Sequence, residues 1–338
     1  MSTLKLATFR LPPTPGTSGR GAGPADEAQT GKYKYRIKAK TDMASTSLVM
    51  FHCRQTDAIG VFNPRDMSYL TKVALLDAQT EAMQPITRFL SENGSIPAVQ
   101  LAHAGRKAGV PGAVAPSALA WSSASTAPAE ATPDDIRAVV RAFADAARRA
   151  VEAGFQALEI HAAHGFLLHE FLSPIANHRV DEYGGDFSGR TRLTLEVVRA
   201  VRRVWPDRLP LFVRISATDW IPGGWDLEQS VALSRLLSAD GVDLVDCSSG
   251  GISPEQRIDA GPGYQVAFAE RVRREAGVMT AAVGLITEPG QADAIVRQGR
   301  ADAVLIGRES LRDPYWPLRA ARDLGHDQAA PEPYRRAW

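Results

Sequence analysis

The feature that most constrains the fold is a repeated alternation of short apolar segments with longer amphipathic ones, which begins near residue 96. Six predicted strands alternate with predicted helices: residues 96–101, 155–160, 211–215, 244–247, 280–283 and 303–306. Strands of this kind, rich in Val, Ile and Leu and separated by helices, are typical of a parallel sheet covered on both faces. The repeat predicts an α/β protein, either a closed barrel or an open doubly wound sheet.

The closed barrel is the favoured alternative, and it needs eight strands. Residues 47–53 supply a plausible second strand, whereas residues 33–39 alternate like a half-exposed strand and are a poor candidate for the first. No G-x-G-x-x-G follows a predicted strand, which disfavours the open dinucleotide-binding sheet. We therefore predict a TIM (β/α)8 barrel with an atypical or incomplete first strand and helix. It spans residues 32–338, ends in a tail at 329–338, and follows an irregular tail at 1–31.

Composition excludes several classes of function. The chain carries 39 basic and 38 acidic residues, a net charge of +1, which gives no reason to expect nucleic acid or an anionic membrane as partner. Its two cysteines, Cys53 and Cys247, support neither a disulfide framework nor a metal cluster. No apolar run reaches the length of a membrane span. A cytoplasmic protein is the simplest expectation.

Two histidines follow the predicted strand at 155–160. His161 comes directly after it, and His164 comes three residues later. The carboxyl ends of barrel strands are where chemistry is placed, and two imidazoles there can donate hydrogen bonds to one carbonyl oxygen. An alternative is a metal-dependent hydrolase in which His169 joins the pair, although no acidic residue stands beside the pair in His-Ala-Ala-His.

Polar and glycine residues also occur at the ends of other strands. Arg214 interrupts an apolar strand, and its burial is costly unless it meets an anion or a polarised group. Glycines after the last two strands, with a nearby arginine, match a phosphate site common in barrels. A flavin mononucleotide fits this outline, unless the glycines are simple turns and Arg214 a structural ion-pair partner. The predicted cofactor-binding residues are Gln100, Arg214, Gly250, Gly251, Gly284, Gly307 and Arg308.

Several motifs together resemble one family. They are Gln-Leu-Ala-His-Ala-Gly-Arg-Lys at 100–107, Ile-His-Ala-Ala-His-Gly at 160–165, the segment 171–185 ending in Asp-Glu-Tyr-Gly-Gly, and Val-Arg-Ile-Ser-Ala-Thr-Asp-Trp at 213–220. Across residues 79–338 the chain resembles the old yellow enzyme family of FMN-dependent ene-reductases, in particular its short bacterial, thermophilic-like branch.

The resemblance implies a function. It implies FMN as cofactor and NADPH or NADH as reductant, with hydride transfer to the β-carbon of enones, enals, maleimides or nitroalkenes. His161 and His164 would hold the substrate oxygen, with Phe166 beside the substrate. Arg336, in the terminal Tyr-Arg-Arg-Ala-Trp, would reach a neighbouring subunit's site and imply a homodimer or homotetramer.

Two departures from the family pattern leave an alternative open. Phe166 stands where the family has a tyrosine that protonates the α-carbon, so the proton must come from water or another residue. Residues 33–46 stand where the family has a Pro-Met-(Cys)-x-Tyr-Ser segment that packs on the flavin. The alternative is a barrel of the same family that lacks FMN and acts as a non-catalytic binding or scaffold protein.

Overall fold

Eight strands close into a barrel in the computed structural model, which describes residues 5–8, 47–52, 77–110, 112–326 and 336. The strand order around the barrel is β1, β10, β9, β8, β7, β6, β3 and β2, back to β1. These strands are β1 (Lys5–Thr8), β2 (Ser47–His52), β3 (Ile96–Leu101), β6 (Ala157–Ala162), β7 (Leu211–Ser216), β8 (Leu244–Ser248), β9 (Met279–Val283) and β10 (Ala303–Ile306). The TIM-barrel prediction is therefore confirmed.

The first strand is atypical in both source and direction. It comes from residues 5–8, inside the segment predicted to be irregular. It runs antiparallel to both neighbours, with Lys5 opposite Met50 and Leu6 opposite Ile306. All other neighbouring barrel strands are parallel. The poor first-strand candidate at 33–39 lies outside the described residues.

Helices follow the strands much as the sequence predicts. They are α1 (Asp77–Glu92), α2 (Pro133–Glu152), α3 (Leu167–Leu172), α4 (Phe187–Arg202), α5 (Leu227–Ala239), α6 (Val266–Ala276), α7 (Pro289–Arg297), α8 (Arg308–Arg312) and α9 (Trp316–Asp323). The predicted helix at 309–322 is two helices, because Asp313 precedes a proline and takes an extended conformation. None of the described helices combines the length and hydrophobicity needed to span a lipid bilayer.

Local sequence explains where the long helices begin. Thr132 accepts a hydrogen bond from the Asp135 amide and the Asp135 carboxylate accepts one from the Thr132 amide, a reciprocal cap for α2. Asp186 and Asp226 cap α4 and α5 by a single bond each, because their carboxylates accept hydrogen bonds from the amides of Gly189 and Gln229. The loop predicted at 107–132 contains one short parallel pair, β4 (Val114–Ala115) and β5 (Ala129–Glu130).

The core has two parts, separated by the strands. Outward-facing strand residues pack against the helices together with Phe143, Trp205 and Trp316. Inward-facing residues at the amino ends of the strands, including Phe212 and Leu244, fill the bottom of the barrel. Because strand side chains alternate faces, the residues two and four positions further along these strands face the upper interior. That upper interior contains the polar residues of the candidate site.

Candidate active site

The upper barrel interior is polar because alternate residues of four strands are polar. In β7, Phe212 lies in the apolar bottom cluster, so Arg214 points into the same interior one layer higher. In β8 the corresponding residue above Leu244 is Asp246. In β6 the interior positions above Ala157 are Glu159 and then His161, and in β3 the position above Ala98 is Gln100. Glu159 and Asp246 were not predicted as site residues, although both occur at the spacing that marks the inner face.

Four of these side chains form a buried network. Arg214 Nη1 lies 3.0 Å from Asp246 Oδ2. Glu159 hydrogen-bonds to Asp246 and accepts a hydrogen bond from Gln100 Nε2. Burial raises the pKa of both carboxyls, and it does so further for Glu159, which also faces the Asp246 charge. The ion pair of Asp246 with Arg214 favours the charge on Asp246, and the like charge of Asp246 favours the proton on Glu159.

An acceptor and a donor of this network are available for a ligand. Gln100 Oε1 and Arg214 Nε are buried, and neither has a hydrogen-bond partner among the described residues. A buried polar group without a partner costs about 1–3 kcal/mol, so an acceptor and a donor left in this way fit a planar ligand with a polar edge. The pyrimidine edge of a flavin offers such donors and acceptors, and the residues present fit FMN at this end of the site.

His161 and His164 lie directly above the network. His161 is buried at the end of β6, which extends two residues further than predicted and includes it. The two imidazole centroids are 5.0 Å apart and the ring planes are tilted by 55°. His164 Nε2 lies 2.6 Å from Ser248 Oγ, at the end of β8. The structure thus brings the predicted pair together, and Ser248 is a partner that the sequence analysis missed.

The backbone around His164 is held in an uncommon conformation. His164 has φ 59°, in the left-handed region that few non-glycine residues adopt. Its amide donates to Ser216 Oγ over 2.9 Å, and Ser216 Oγ donates to the Gly250 carbonyl over 2.7 Å. A Cβ on Gly251 would lie 2.5 Å from His164 Cα. Such strain persists where surrounding contacts enforce it, often at functional sites.

Gly250 and Gly251, predicted to bind the cofactor, contact the protein itself. The Gly250 amide donates to the Thr218 carbonyl over 2.8 Å, and the Gly251 amide donates to the Gln256 side chain over 2.5 Å. Gly251 packs closely against the His164 backbone, and Gly250 packs against the side chains of Gln256 and Ile258. Their contact with a cofactor stays a prediction.

The buried residues His169 and Asp219 stabilise the loop that contains His164. The Gly165 amide donates to His169 Nδ1 over 2.8 Å, and His169 Nε2 lies 2.9 Å from Asp219 Oδ1. The acceptor role of Nδ1 places the proton on Nε2, facing Asp219. Burial alone would raise the pKa of Asp219, but His169, Ser173 and the Trp225 amide lower it below its ordinary value.

These contacts bear on the metal alternative. His169 uses both ring nitrogens inside the protein, so it does not extend the pair of His161 and His164. Within the part of the chain that the structure describes, no group of three His, Cys, Asp or Glu side chains is arranged to hold a metal ion.

A lysine and two aromatic rings form one wall beside the pair. Lys107 Nζ donates to the His164 carbonyl over 2.6 Å and lies 4.7 Å from the centre of the Trp121 ring. Phe166 packs edge-on against His161, with ring centroids 5.1 Å apart. Burial lowers the pKa of Lys107 to about 8, against the opposing effect of Glu170. Lys107 belongs to the motif at 100–107, but no role was predicted for it.

The predicted phosphate end is formed by neighbouring strands. Gly284 and Gly307 follow β9 and β10, which pair in parallel, and Gly284 has φ 129°. Arg308 is exposed at the start of α8. Tyr264, also missed, packs against Gly284, because a Cβ on that glycine would lie 2.9 Å from its ring. The predicted group is therefore assembled at one edge of the mouth, whereas Arg336 is exposed and its role toward a neighbouring subunit stays a prediction.

Known proteins match this chain in sequence and in structure. The model of the NADH:flavin oxidoreductase / NADH oxidase family matches residues 56–327. An NADPH dehydrogenase from Geobacillus thermodenitrificans is 51% identical over 263 residues, 78% of this chain and 76% of that protein. An old yellow enzyme homologue from Zymomonas mobilis has a TM-score of 0.62 at 27% identity, over 76% of this chain and 75% of that one. Morphinone reductase in complex with tetrahydroNAD has a TM-score of 0.62 at 27% identity, over 76% of this chain and 74% of that one.

Proposed function

Because the chain belongs to the NADH:flavin oxidoreductase / NADH oxidase family, which includes the old yellow enzymes, we propose that it reduces activated C=C bonds with His161 and His164 holding the substrate oxygen. Family membership makes the chain an NAD(P)H-dependent flavin oxidoreductase whose cofactor is FMN. The proposal adds the substrate class (enones, enals, maleimides and nitroalkenes) and the residues that act on it.

The chain's residues suit FMN at both ends. Gln100 Oε1 and Arg214 Nε would meet the polar edge of the ring, and Gly284, Gly307 and Arg308 would hold the phosphate. FMN supplies the hydride chemistry when bound. Arg214, which is buried and paired with Asp246, would favour an electron-rich ring bound beside its guanidinium.

The imidazole pair carries the proposal for the substrate. Two rings 5.0 Å apart at the top of a buried interior can both reach one oxygen, and negative charge grows on that oxygen as a hydride arrives at the β-carbon. Loss of a single donor of this kind reduces the rate by about 10²–10³-fold. Ser248 Oγ, at 2.6 Å from His164 Nε2, sets which nitrogen of His164 faces the substrate.

One rival function has an observation in its favour. The rival is a barrel that lacks FMN and acts as a binding protein. The observation in its favour is the antiparallel β1, because a regular (β/α)8 barrel has a parallel first strand. The absorption spectrum of the purified protein, with and without added FMN, separates the two. Flavin bands and saturable FMN binding support the reductase, whereas a colourless protein that ignores added FMN supports the rival.

The substrate proposal is tested by transient kinetics of the FMN-loaded protein. NADPH first reduces it without oxygen, and cyclohexenone or N-ethylmaleimide is then mixed in while flavin absorbance is followed. We expect His161→Ala to slow the second phase by about 10²-fold or more. Exposed His178, changed to Ala, is the matched control and leaves the rate within about twofold. Equal rates for both variants would refute the role of His161.

Assembly and location are part of the proposal. Arg336 and the surrounding tail support a homodimer or homotetramer in which the tail meets a second copy's site, and an exposed Arg336 is available for that contact. Sedimentation of the full chain and of a chain ending at residue 328 tests it. The cytoplasm is our proposed location, supported by low cysteine usage and the NADPH dehydrogenase relatives.

A further inference from the structure

Alkene reduction needs a proton as well as a hydride, and the wall beside the imidazole pair offers one proton donor. Of its three side chains, Trp121 and Phe166 are aromatic and lack an acidic group, and Lys107 carries an ammonium group. Lys107 Nζ lies 6.0 Å from the centre of the Phe166 ring and 2.6 Å from the His164 carbonyl. The ammonium group therefore borders the same space as the two imidazoles.

The choice of a lysine here is chemically distinctive. From residue 73 to the carboxyl terminus Lys107 is the one lysine, and every other cationic Lys or Arg position is an arginine. A guanidinium does not release its proton near neutral pH, whereas a partly desolvated ammonium does. The charges around Lys107 are the buried Glu170 carboxyl on α3 and the adjacent Arg106 guanidinium, with His161 and His164 on the side of the site.

Other acids near the mouth are less suitable. The Glu170 carboxyl accepts a hydrogen bond from the Arg106 amide over 2.9 Å and lies behind Gly105, where a Cβ would be 2.3 Å from Glu170 Oε1. The Tyr264 hydroxyl hydrogen-bonds to Ser249 and lies near Arg308, toward the predicted phosphate end. The Glu170 carboxyl acts on Lys107 through its charge, and Tyr264 packs beside Gly284.

We propose that Lys107 is the general acid that protonates the α-carbon of the reduced alkene, in the position where Phe166 has no proton to give. This inference rests on the proposed ene-reduction. The hydride adds to the β-carbon, the π electron pair moves toward the oxygen held by His161 and His164, and the resulting enolate takes a proton from the Lys107 ammonium at its α-carbon. Lys107 is left as a neutral amine and regains a proton from water.

Titration of Lys107 gives a readout that does not depend on turnover. The chain has seven lysines, so biosynthetic labelling with ¹³Cε-lysine yields few signals. We expect one signal to titrate near pH 8, well below the others, and to disappear in Lys107→Arg. If the signal assigned to Lys107 titrates together with the other lysines, the proposal is overturned.

Substrate choice separates proton donation from positioning. An enolate is strongly basic and needs a donor, whereas a nitronate is a weak base and forms without one. Lys107→Arg keeps a cation beside the His164 carbonyl but removes the acid. We expect reoxidation by cyclohexenone to slow by about 10²-fold and reoxidation by nitrocyclohexene to stay within about threefold. In the parent protein the enone rate falls as pH rises through about 8, because the donor must be protonated.

The remaining outcomes are also decisive. Phe166→Tyr in the Lys107→Arg background adds a phenol and is expected to recover at least about tenfold of the enone rate. Equal loss for both substrates would show a positioning role, and substrate-selective loss in Tyr264→Phe instead of Lys107→Arg would assign the proton to Tyr264. Either result overturns the proposal. If neither substrate reoxidises the reduced parent protein, the proposed function itself fails, which is a different result from an unchanged Lys107→Arg.

Discussion

The buried carboxyl pair below the imidazoles allows a sharp test of how the site is charged. Asp246→Asn leaves the Arg214 guanidinium buried without its counter-charge, which typically destabilises a protein by about 3–5 kcal/mol. Glu159→Gln should change the free energy of unfolding little, because the new side-chain amide still accepts a hydrogen bond from Gln100 and still donates one to Asp246. The two substitutions are nearly isosteric, so their difference isolates the charge.

The expected changes in Tm follow from the length of the chain. With an unfolding entropy of about 2.1 cal/mol/K per residue, the 338-residue chain has roughly 0.7 kcal/mol/K in total. Asp246→Asn should therefore lower Tm by about 4–7 °C, and Glu159→Gln by less than about 1.5 °C. Differential scanning calorimetry of the FMN-free variants measures both shifts.

The pH dependence of Tm tests the same assignment, because its direction can be predicted. Burial raises the pKa of Glu159 well above its ordinary value, so the folded protein holds this proton more tightly than the unfolded chain does. The stability that Glu159 contributes is fully present below its unfolded pKa of about 4.3 and is lost as pH rises toward the folded pKa. Glu159→Gln does not titrate, so its Tm relative to the parent should rise with pH. A Glu159→Gln variant as unstable as Asp246→Asn, or a relative Tm that falls with pH, would refute the assignment of the proton to Glu159.

Three further substitutions test other parts of the site. Gly165→Ala should displace the loop that contains His164, because the new Cβ would lie 2.1 Å from a backbone oxygen. Gly185→Ala is the control, because Gly185 has the same φ of 70° and open space around its Cβ position. Ligand binding should therefore weaken in Gly165→Ala and not in Gly185→Ala. Ser248→Ala removes the partner of His164 Nε2 and should weaken binding of a phenolate by about fivefold to tenfold, measured by absorbance titration; unchanged affinity would contradict the role given to this serine. Gln100→Leu removes the unpaired Oε1, and calorimetry should show an FMN-induced gain in stability smaller by about 1–3 kcal/mol, with an undiminished gain counting against the contact.

Much of the fold could be predicted from the sequence, because the patterns that indicate strands and helix starts are local. The strand at Ala303–Ile306 was predicted residue for residue, and the start of α2 was predicted from Thr132, Pro133 and Asp134. The ends of β6 were not predicted correctly, because the ends of a strand depend on pairing with neighbouring strands rather than on their own sequence. The first strand was missed for the same reason: four residues at 5–8 become a strand only by pairing with two others.

The site was predictable where one residue carries its own signal. His161, His164 and Arg214 stand out because histidines at a strand end and an arginine inside an apolar strand are unusual in themselves. The roles of Ser248 and Lys107 come from contacts with His164 across 84 and 57 residues of sequence, so the isolated position of Lys107 among arginines does not by itself indicate where it lies. Tertiary contacts of this range cannot be read from spacing.

The division of the barrel interior connects stability with function. The lower half is apolar and packed by residues such as Phe212, and it closes the barrel from below. The upper half holds an ion pair and buried polar atoms, among them Gln100 Oε1 and Arg214 Nε, that have no hydrogen-bond partner in the described residues, and such atoms weaken the FMN-free protein. A ligand that pairs those atoms stabilises the fold as it binds, by about 2.7 kcal/mol at a concentration 100 times its Kd. The same residues that make the empty barrel less stable therefore make it select a flat, polar-edged ligand, and Arg214 and Gln100 carry both effects.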